Sequence, residues 1–193
     1  ANHRRRAAAR TTPFIEALVL AGDGTTWLHL VDPVAIVHAD RSDHVQTALR
    51  DAREEAGRRG LHAVCVLQYE AGEAFGLSVA ERGPRESALP LVWVALFSPD
   101  TVRVVEPPAS LGGYDVGPLQ TSISRPRFSE AVRALREHIA SGDIYQANYT
   151  FRLRGSFRGE PRDLFADLAS VQRGRYAAFV RTGRYAICSA SPE

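Results

Sequence analysis

Apolar and polar side chains alternate along residues 145–153, and this is the most regular pattern in the chain. Every second position is apolar, so an extended backbone would gather these side chains on one face: Tyr145, Ala147, Tyr149, Phe151 and Leu153. The opposite face would carry Gln146, Asn148, Thr150 and Arg152. A period of two over this length predicts a β-strand with one buried face.

Directly upstream, the period changes to that of a helix. Apolar residues recur at spacings of three and four, at Phe128, Val132, Leu135 and Ile139. Gly142 follows at the place where a left-handed residue commonly ends a helix. We therefore predict an amphipathic helix that stops at Gly142 and leads into the strand. This pattern by itself also fits a helix-to-strand corner with no chemistry.

The remaining pattern predicts short strands joined by hairpins, with helices placed irregularly between them. Helices are predicted from Ser42, taken as an N-cap, to Gly60 and behind Pro161. The predicted strands are 13–20, 27–30, 34–37, 63–67, 91–97, 101–106, 176–180 and 185–189, with 63–67 buried and with hairpins between 91–97 and 101–106 and between 176–180 and 185–189. This arrangement is typical of an α+β fold with mostly antiparallel sheets and interspersed helices.

Composition suggests where the chain divides. Residues 1–12 hold four arginines and no acidic residue, so we expect a disordered basic start there. Residues 107–126 hold three glycines and four prolines, as a linker would. We predict an N-terminal subdomain at 13–106, this linker at 107–126, and the beginning of a second domain at 127–193.

Charge and hydropathy argue against several partners. The 193 residues are 45% hydrophobic and carry a formal net charge of +2, which fits a globular protein and implies no nucleic-acid partner. Nucleic-acid binding through the arginine-rich start is a distant alternative. No apolar run reaches the roughly 18 residues of a membrane-spanning helix, so no membrane partner is expected.

The cysteines and histidines carry no sign of a metal or redox site. Cys65 and Cys188 both lie in apolar runs, and we predict buried thiols in a reducing, cytoplasmic setting. The six histidines have no metal-ligand spacing. We therefore predict no metal site among these residues.

Two motifs, in this order, resemble signatures of the chorismate-utilising enzymes. Ala-Ser-Gly-Asp-Ile-Tyr-Gln-Ala-Asn at residues 140–148 is similar to their aGDiyQvN signature, and Ser-Ala-Ser-Pro-Glu at 189–193 is similar to their SxSPE element. Looser matches at 67–72 (isYEa), 90–93 (PLlWf) and 149–153 (YTfRL) resemble the aminodeoxychorismate synthase component I branch. The similarity covers residues 13–193.

The resemblance implies that this chain is an incomplete part of the chorismate-binding, anthranilate synthase component I-like fold, with residues 127–193 beginning the catalytic domain. It also implies an enzyme of p-aminobenzoate and folate synthesis. This enzyme would replace the C4 hydroxyl of chorismate by an amino group, using ammonia that a glutamine amidotransferase partner releases. Sibling enzymes that make anthranilate, isochorismate or salicylate share the fold and the substrate. A non-catalytic docking or regulatory module is a further alternative.

Residue roles also follow from the resemblance. Glu193 matches the active-site glutamate of the SPE element, which would protonate or polarise the departing hydroxyl. Gln146 and Asn148 match polar positions of the signature and are expected to support the site through hydrogen bonds. The family's lysine and its Mg²⁺-binding glutamates would follow residue 193. We therefore expect Mg²⁺ as a cofactor with ligands beyond the chain end, and no activity from these 193 residues alone.

Some relatives bind tryptophan between an LLxS strand and a PxPY segment. The matching stretches here are 18–21 and 173–176, which read Leu-Val-Leu-Ala and Arg-Gly-Arg-Tyr. The serine and both prolines are missing, and this departure weighs against effector binding.

Overall fold

The computed structural model describes residues 14–79 and 89–191. The predicted disordered start at 1–12 lies outside these residues, as does Glu193. The described chain divides into two compact units. Unit 1 contains residues up to Ser110 together with those from Pro161 onward, and unit 2 is Leu111–Glu160.

Unit 1 contains two antiparallel sheets. The strands of unit 1 are β1 (Ile15–Leu20), β2 (Trp27–Val31), β3 (Ala35–Ala39), β4 (His62–Leu67), β5 (Val92–Phe97), β6 (Val102–Val105), β11 (Tyr176–Thr182) and β12 (Ala186–Ser191). The five-stranded sheet has the order β12-β11-β1-β2-β6, and the three-stranded sheet has the order β3-β5-β4. The helices of unit 1 are α1 (Ser42–Arg59), α3 (Pro161–Gln172) and the 3-10 helices Tyr69–Phe75 and Pro99–Thr101. The prediction of an α+β fold with mostly antiparallel sheets is confirmed.

Helix α1 begins and ends close to its predicted limits. Ser42 is the first helical residue, while the extended Arg41 occupies the N-cap position that was predicted for Ser42. Gly60 adopts φ +63 and donates its N–H to the carbonyl oxygen of Ala56, which closes the last turn. The buried stripe of the helix consists of Val45, Ala48 and Ala52.

Strand β5 is buried on both faces and lies at the centre of unit 1. Val92, Val94 and Leu96 pack with the buried stripe of α1. The alternate side chains of β5 are Trp93, Ala95 and Phe97. They pack with Ala17, Leu30 and Val180 of the five-stranded sheet. The period of two along β5 therefore places the helix on one face of the small sheet and the large sheet on the other.

The outer face of the five-stranded sheet is covered by α3. Phe165 of α3 is fully buried against Leu18, Trp27 and Phe179. The rings of Trp27 and Phe165 meet edge to face, with centroids 5.9 Å apart. Unit 1 therefore has four layers, in the order α1, three-stranded sheet, five-stranded sheet and α3.

Three predictions about unit 1 are wrong. β5 and β6 do not form a hairpin, because β5 pairs with β3 and β4 while β6 pairs with β2 in the other sheet. An apolar strand such as β5 can accept neighbours along both edges, and the turn at Pro99–Thr101 takes the chain to the other sheet.

β4 is an edge strand with alternating exposure, so the run at 63–67 is not a buried strand and Cys65 is exposed. Cys188 is partly buried.

Unit 2 contains one long helix and two small antiparallel sheets. Helix α2 (Arg125–Ser141) lies between the strands in the chain, and the sheets pair β7 (Tyr114–Val116) with β10 (Phe157–Gly159) and β8 (Gln120–Thr121) with β9 (Leu153–Arg154). The chain passes from unit 1 to unit 2 after Ser110, inside the predicted linker at 107–126, and the predicted subdomains stay predictions. Residues 161–191 return to unit 1 because β11 pairs with β1. The catalytic domain predicted at 127–193 stays a prediction about function.

Candidate functional site

Helix α2 carries the signature sequence at its C-terminal end. At its start, the hydroxyl of Ser124 accepts the backbone N–H of Arg127 at 3.4 Å, and a proline occupies the first turn. At its end, Gly142 adopts φ +83 and donates its N–H to Ile139 O at 3.2 Å. The predicted helix and its glycine cap are confirmed. Only a residue that tolerates a left-handed backbone fits this corner without strain.

Asp143 ties the residues after the cap back to α2. Its Oδ2 lies 2.9 Å from Nδ1 of His138 and accepts the hydroxyl of Ser141 at 2.8 Å. Its backbone N–H donates to the carbonyl oxygen of His138 at 3.0 Å. The hydrogen bond from His138, and secondly that from Ser141, holds the pKa of the Asp143 carboxyl below its usual value. We call these three residues the Asp143 cluster.

The residues after this cluster do not form the long strand that their alternation predicts. Only Leu153–Arg154 enters a ladder, opposite Gln120–Thr121. The prediction of a strand over 145–153 is therefore wrong. A strand needs a partner of matching length, and β8 offers only two residues. Immediately before the ladder, Arg152 N–H donates to Ser122 Oγ at 2.9 Å.

Aromatic contacts replace the missing ladder. The ring of Phe128 on α2 lies 5.7 Å from the ring of Tyr149 and 5.7 Å from that of Phe151. Both aromatic residues come from the apolar face of the predicted strand. The period of two thus identified the side chains that pack on α2, although the backbone between them is irregular.

The polar signature residues face outward. Gln146 and Asn148 are exposed, and neither forms a hydrogen bond with any other residue of the described ranges 14–79 and 89–191. Tyr145 beside them is 92% exposed. The supporting role predicted for the two amides stays a prediction, as does the catalytic role of Glu193. The predicted hairpin of β11 and β12 is confirmed. β12 ends at Ser191, opposite Tyr176 of β11 and two residues before Glu193.

Comparison with known proteins identifies the family. The family of chorismate binding enzymes matches residues 16–193, which is almost all of the chain. This chain belongs to that family. The described residues therefore form part of a chorismate-binding domain, and their fold is of the mixed α+β class.

Individual relatives of this family member match over shorter stretches. Aminodeoxychorismate synthase component 1 of Escherichia coli (strain K12) is 34% identical over 74 residues, 38% of this chain and 16% of that protein. The Bacillus subtilis (strain 168) protein of the same name is 28% identical over 107 residues, 55% of this chain and 22% of its own length. Anthranilate synthase component 1 of Haloferax volcanii is 32% identical over 134 residues, 56% of this chain and 24% of its own length. The chain therefore spans less than a quarter of each of these relatives.

A small cavity of the chorismate-binding fragment lies beside the signature helix, and no pattern in the sequence predicts it. It measures about 240 Å³ and is mainly apolar, lined by Thr121, Ile123, Ser124, Arg125, Phe128 and Phe151. The aromatic contacts of Phe128 form one wall. The cavity is open to solvent at the start of α2, close to the ladder of β8 and β9.

A second cavity lies in unit 1, near the stretches compared with the tryptophan-binding segments of relatives. It measures about 320 Å³, and its walls include Leu20, Trp27, Arg173, Gly174 and Ala177. Arg173 adopts φ +47, an uncommon conformation for a residue with a side chain. No ligand chemistry follows from this mainly apolar lining, and the expectation against effector binding stays a prediction.

A buried carboxylate in unit 1 was also missed by the sequence analysis. Glu16 is 3% exposed, and its oxygens lie 2.8 Å from His29 Nε2, 3.1 Å from Arg181 Nε and 3.5 Å from Arg162 Nη1. The available signal was a single acidic residue inside the apolar strand β1. A buried carboxylate needs hydrogen-bonding or cationic partners, and here three elements supply them.

The described residues of this family member contain no group of three or more histidine, cysteine, aspartate or glutamate side chains placed to hold a metal ion. The Mg²⁺ ligands predicted after residue 193 stay a prediction. Among the same residues, no helix combines the length and the apolar content that crossing a bilayer requires.

Proposed function

We propose that this chain is part of an aminodeoxychorismate synthase component 1, which converts chorismate and ammonia to 4-amino-4-deoxychorismate. The observation that carries the proposal is the signature at 140–148, which leaves the side chains of Gln146 and Asn148 exposed at the end of α2. The family match over 16–193 and the names of the bacterial relatives support the same substrate and reaction. The product would serve p-aminobenzoate and folate synthesis.

The reaction requires a group that helps hydroxide to leave. In the proposed step, ammonia forms a carbon–nitrogen bond at C4 of chorismate while the C4–oxygen bond breaks. The hydroxyl takes up a proton and departs as water, and the nitrogen loses a proton. A carboxylic acid can deliver the departing proton when its surroundings favour the neutral form. We assign this role to Glu193, which follows β12 by two residues.

The two signature amides would support the site. Their exposed positions leave the donors and acceptors of Gln146 and Asn148 available to another part of the protein or to substrate. We propose that Mg²⁺ is bound by residues outside the chain described here and that a glutamine amidotransferase supplies the ammonia. These are the cofactor and the partner that the aminodeoxychorismate synthase reaction needs.

A second candidate function is anthranilate synthesis. The anthranilate synthase component 1 of Haloferax volcanii matches 56% of this chain, about the same share as the 55% matched by the aminodeoxychorismate synthase component 1 of Bacillus subtilis. Both reactions begin with chorismate and ammonia, so residues that serve the shared substrate do not distinguish them.

Product analysis tests both functions directly. The intact protein should be incubated with chorismate, an ammonium salt and Mg²⁺, and the products should be separated and identified by mass. 4-Amino-4-deoxychorismate would support the proposal, whereas anthranilate with pyruvate would assign the second function. If folded protein consumes no chorismate, both enzymatic proposals are wrong. Capture of an amidotransferase without turnover would then favour a docking module.

A further inference from the structure

A single oxygen atom joins the end of α2 to the start of the signature segment, which we define as residues 143–152. Oδ2 of Asp143 accepts the hydroxyl of Ser141 and contacts Nδ1 of His138, at 2.8 and 2.9 Å. The hydroxyl of Ser141 also lies 3.1 Å from the carbonyl oxygen of His138. The Asp143 cluster therefore fixes both the carboxylate and the last helical turn in one arrangement.

Backbone hydrogen bonds also close this corner, and the last of them ends at Ile144. Gly142 adopts φ +83, a region that glycine populates about as readily as negative φ, so its backbone alone does not fix the direction of the chain. Asp143 N–H donates to His138 O at 3.0 Å, and Ile144 N–H reaches the same oxygen at 3.5 Å, the limit of a hydrogen bond. The position of the segment after Ile144 therefore depends on these backbone bonds together with the side-chain contacts of Asp143.

The far end of the signature segment has its own anchors. Phe128 contacts the rings of Tyr149 and Phe151, and Arg152 exchanges hydrogen bonds with Ser122. Residues 145–148 lie between the two anchors. Within the described parts of the chain, none of the hydrogen bonds involves the side chains of Gln146 and Asn148. Their arrangement therefore depends on the anchors on either side.

We propose that Asp143 is a positioning residue: its carboxylate holds the turn that leads from α2 into residues 145–148, so that Gln146 and Asn148 keep one arrangement at the chorismate site. The inference rests on the proposed function of these amides as supports of that site. Among residues 14–79 and 89–191, the hydrogen bonds of Asp143 are with His138 and Ser141 of α2, so we expect it to act through the segment and not on substrate.

Substitutions at Asp143 separate its geometry from its charge. Asp143→Ala removes both side-chain contacts. Asp143→Asn keeps them, because the amide Oδ1 can take the place of the one oxygen that receives both. In the intact protein with saturating ammonium, we expect Asp143→Ala to lower kcat roughly tenfold or more, with the KM for chorismate changed less than about twofold. Asp143→Asn should stay within about twofold of the unsubstituted protein.

Amide hydrogen exchange supplies a readout that needs no activity. Asp143→Ala should accelerate exchange of the Gly142, Asp143 and Ile144 amides, which donate to carbonyl oxygens of α2, whereas Asp143→Asn should leave it near the original rate. Ser141→Ala, which removes one of the two contacts, should give an intermediate rate and serves if the alanine variant at 143 does not fold. Asp43→Ala is the matched control, since Asp43 is a similarly exposed carboxylate paired with Arg41 at the start of α1.

The two proposals fail in different ways. If the unsubstituted protein does not turn over chorismate, the proposed function is wrong, while exchange at residues 142–144 still tests the anchor. Unchanged exchange in both Asp143→Ala and Ser141→Ala would overturn the positioning role, as would an equal loss of kcat in Asp143→Asn and Asp143→Ala. A similar loss in Asp43→Ala would also overturn it, because the effect would then not be specific to the signature segment.

Discussion

Arg181 donates from its Nε to Oε1 of Glu16 at 3.1 Å, although the two residues lie 165 positions apart in the chain. Glu16 is on β1 and Arg181 is directly opposite on β11. The same carboxylate meets His29 of β2 and Arg162 in the first turn of α3. One buried acidic group therefore connects three strands and the helix that covers them.

Replacing Glu16 by alanine should destabilise unit 1. The variant leaves two arginines beside the space of the lost carboxylate, but their side chains are 24% and 39% exposed and can partly regain water. We expect the free energy of unfolding to fall by about 1–3 kcal/mol, below the 3–5 kcal/mol of a fully buried pair. Urea-induced unfolding followed by circular dichroism measures this change.

Glu55→Ala is the control for this substitution. Glu55 also pairs with two arginines, Arg58 and Arg59, but all three belong to the surface of α1. Its removal should change the unfolding midpoint much less than removal of Glu16 does. Equal shifts for the two variants would show that burial of the Glu16 cluster contributes nothing to stability.

Local signals in the sequence were sufficient to predict the helix and the hairpin at the candidate site. The spacing of apolar residues predicts helix α2, and a glycine just after the last of them predicts its end. In the structure, Gly142 adopts the left-handed conformation that ends the helix. The hairpin of β11 and β12 follows from two apolar runs around Thr182 and Gly183. Each of these signals acts over a few residues, so no knowledge of distant partners is required.

Pairing between distant segments could not be predicted. The alternation at 145–153 correctly identified Tyr149 and Phe151 as packing residues, but strand formation also needs an available edge, and β8 supplies only two residues. The same limitation explains why β5 and β6 belong to different sheets. The partners of Glu16 lie as far away as Arg181, so a strand pattern alone could not reveal its cluster.

A methyl group at Gly159 should disrupt the pairing of β7 and β10. Gly159 adopts φ +102, and an added Cβ would overlap the carbonyl oxygen of Gly113. We expect Gly159→Ala to accelerate amide exchange in Tyr114–Val116 and Phe157–Gly159, with a cost above the roughly 1 kcal/mol of the backbone conformation alone. Gly112→Ala isolates that backbone cost, because Gly112 has φ +73 but open space around its Cα. Equal exchange rates in the two variants would contradict the steric argument.

The turn between β1 and β2 should respond to pH only under strongly acidic conditions. Hydrogen bonds from the side chain of Thr26 first, and then from the backbone N–H groups of Thr26 and Thr25, lower the pKa of Asp23 from 3.8 to about 2. A lowered pKa in the folded state means that the contribution to stability is present above pH 3.8. It is lost as the pH falls through about 2.

Carboxyl-carbon NMR titration of Asp23 tests this cause. Thr26→Val removes the 2.6 Å hydrogen bond from Oγ1 to Oδ2 but retains the backbone N–H donors. The pKa of Asp23 should therefore rise toward 3.8 without reaching it. Thr25→Val is the control and should have a smaller effect, since the side chain of Thr25 has the least influence. A larger rise in the control would assign the low pKa to the wrong threonine.

Replacing Glu193 by glutamine tests the proposed proton donor. The amide preserves the size of the side chain but cannot deliver the proton that the departing hydroxyl takes up. In the intact protein, formation of 4-amino-4-deoxychorismate should fall by roughly 100-fold or more, as expected when a general acid is lost. Circular dichroism should be unchanged. Glu130→Gln, at an exposed position of α2, provides the same chemical change away from β12 and should retain full activity. Near-normal product formation by folded Glu193→Gln would show that another group protonates the hydroxyl.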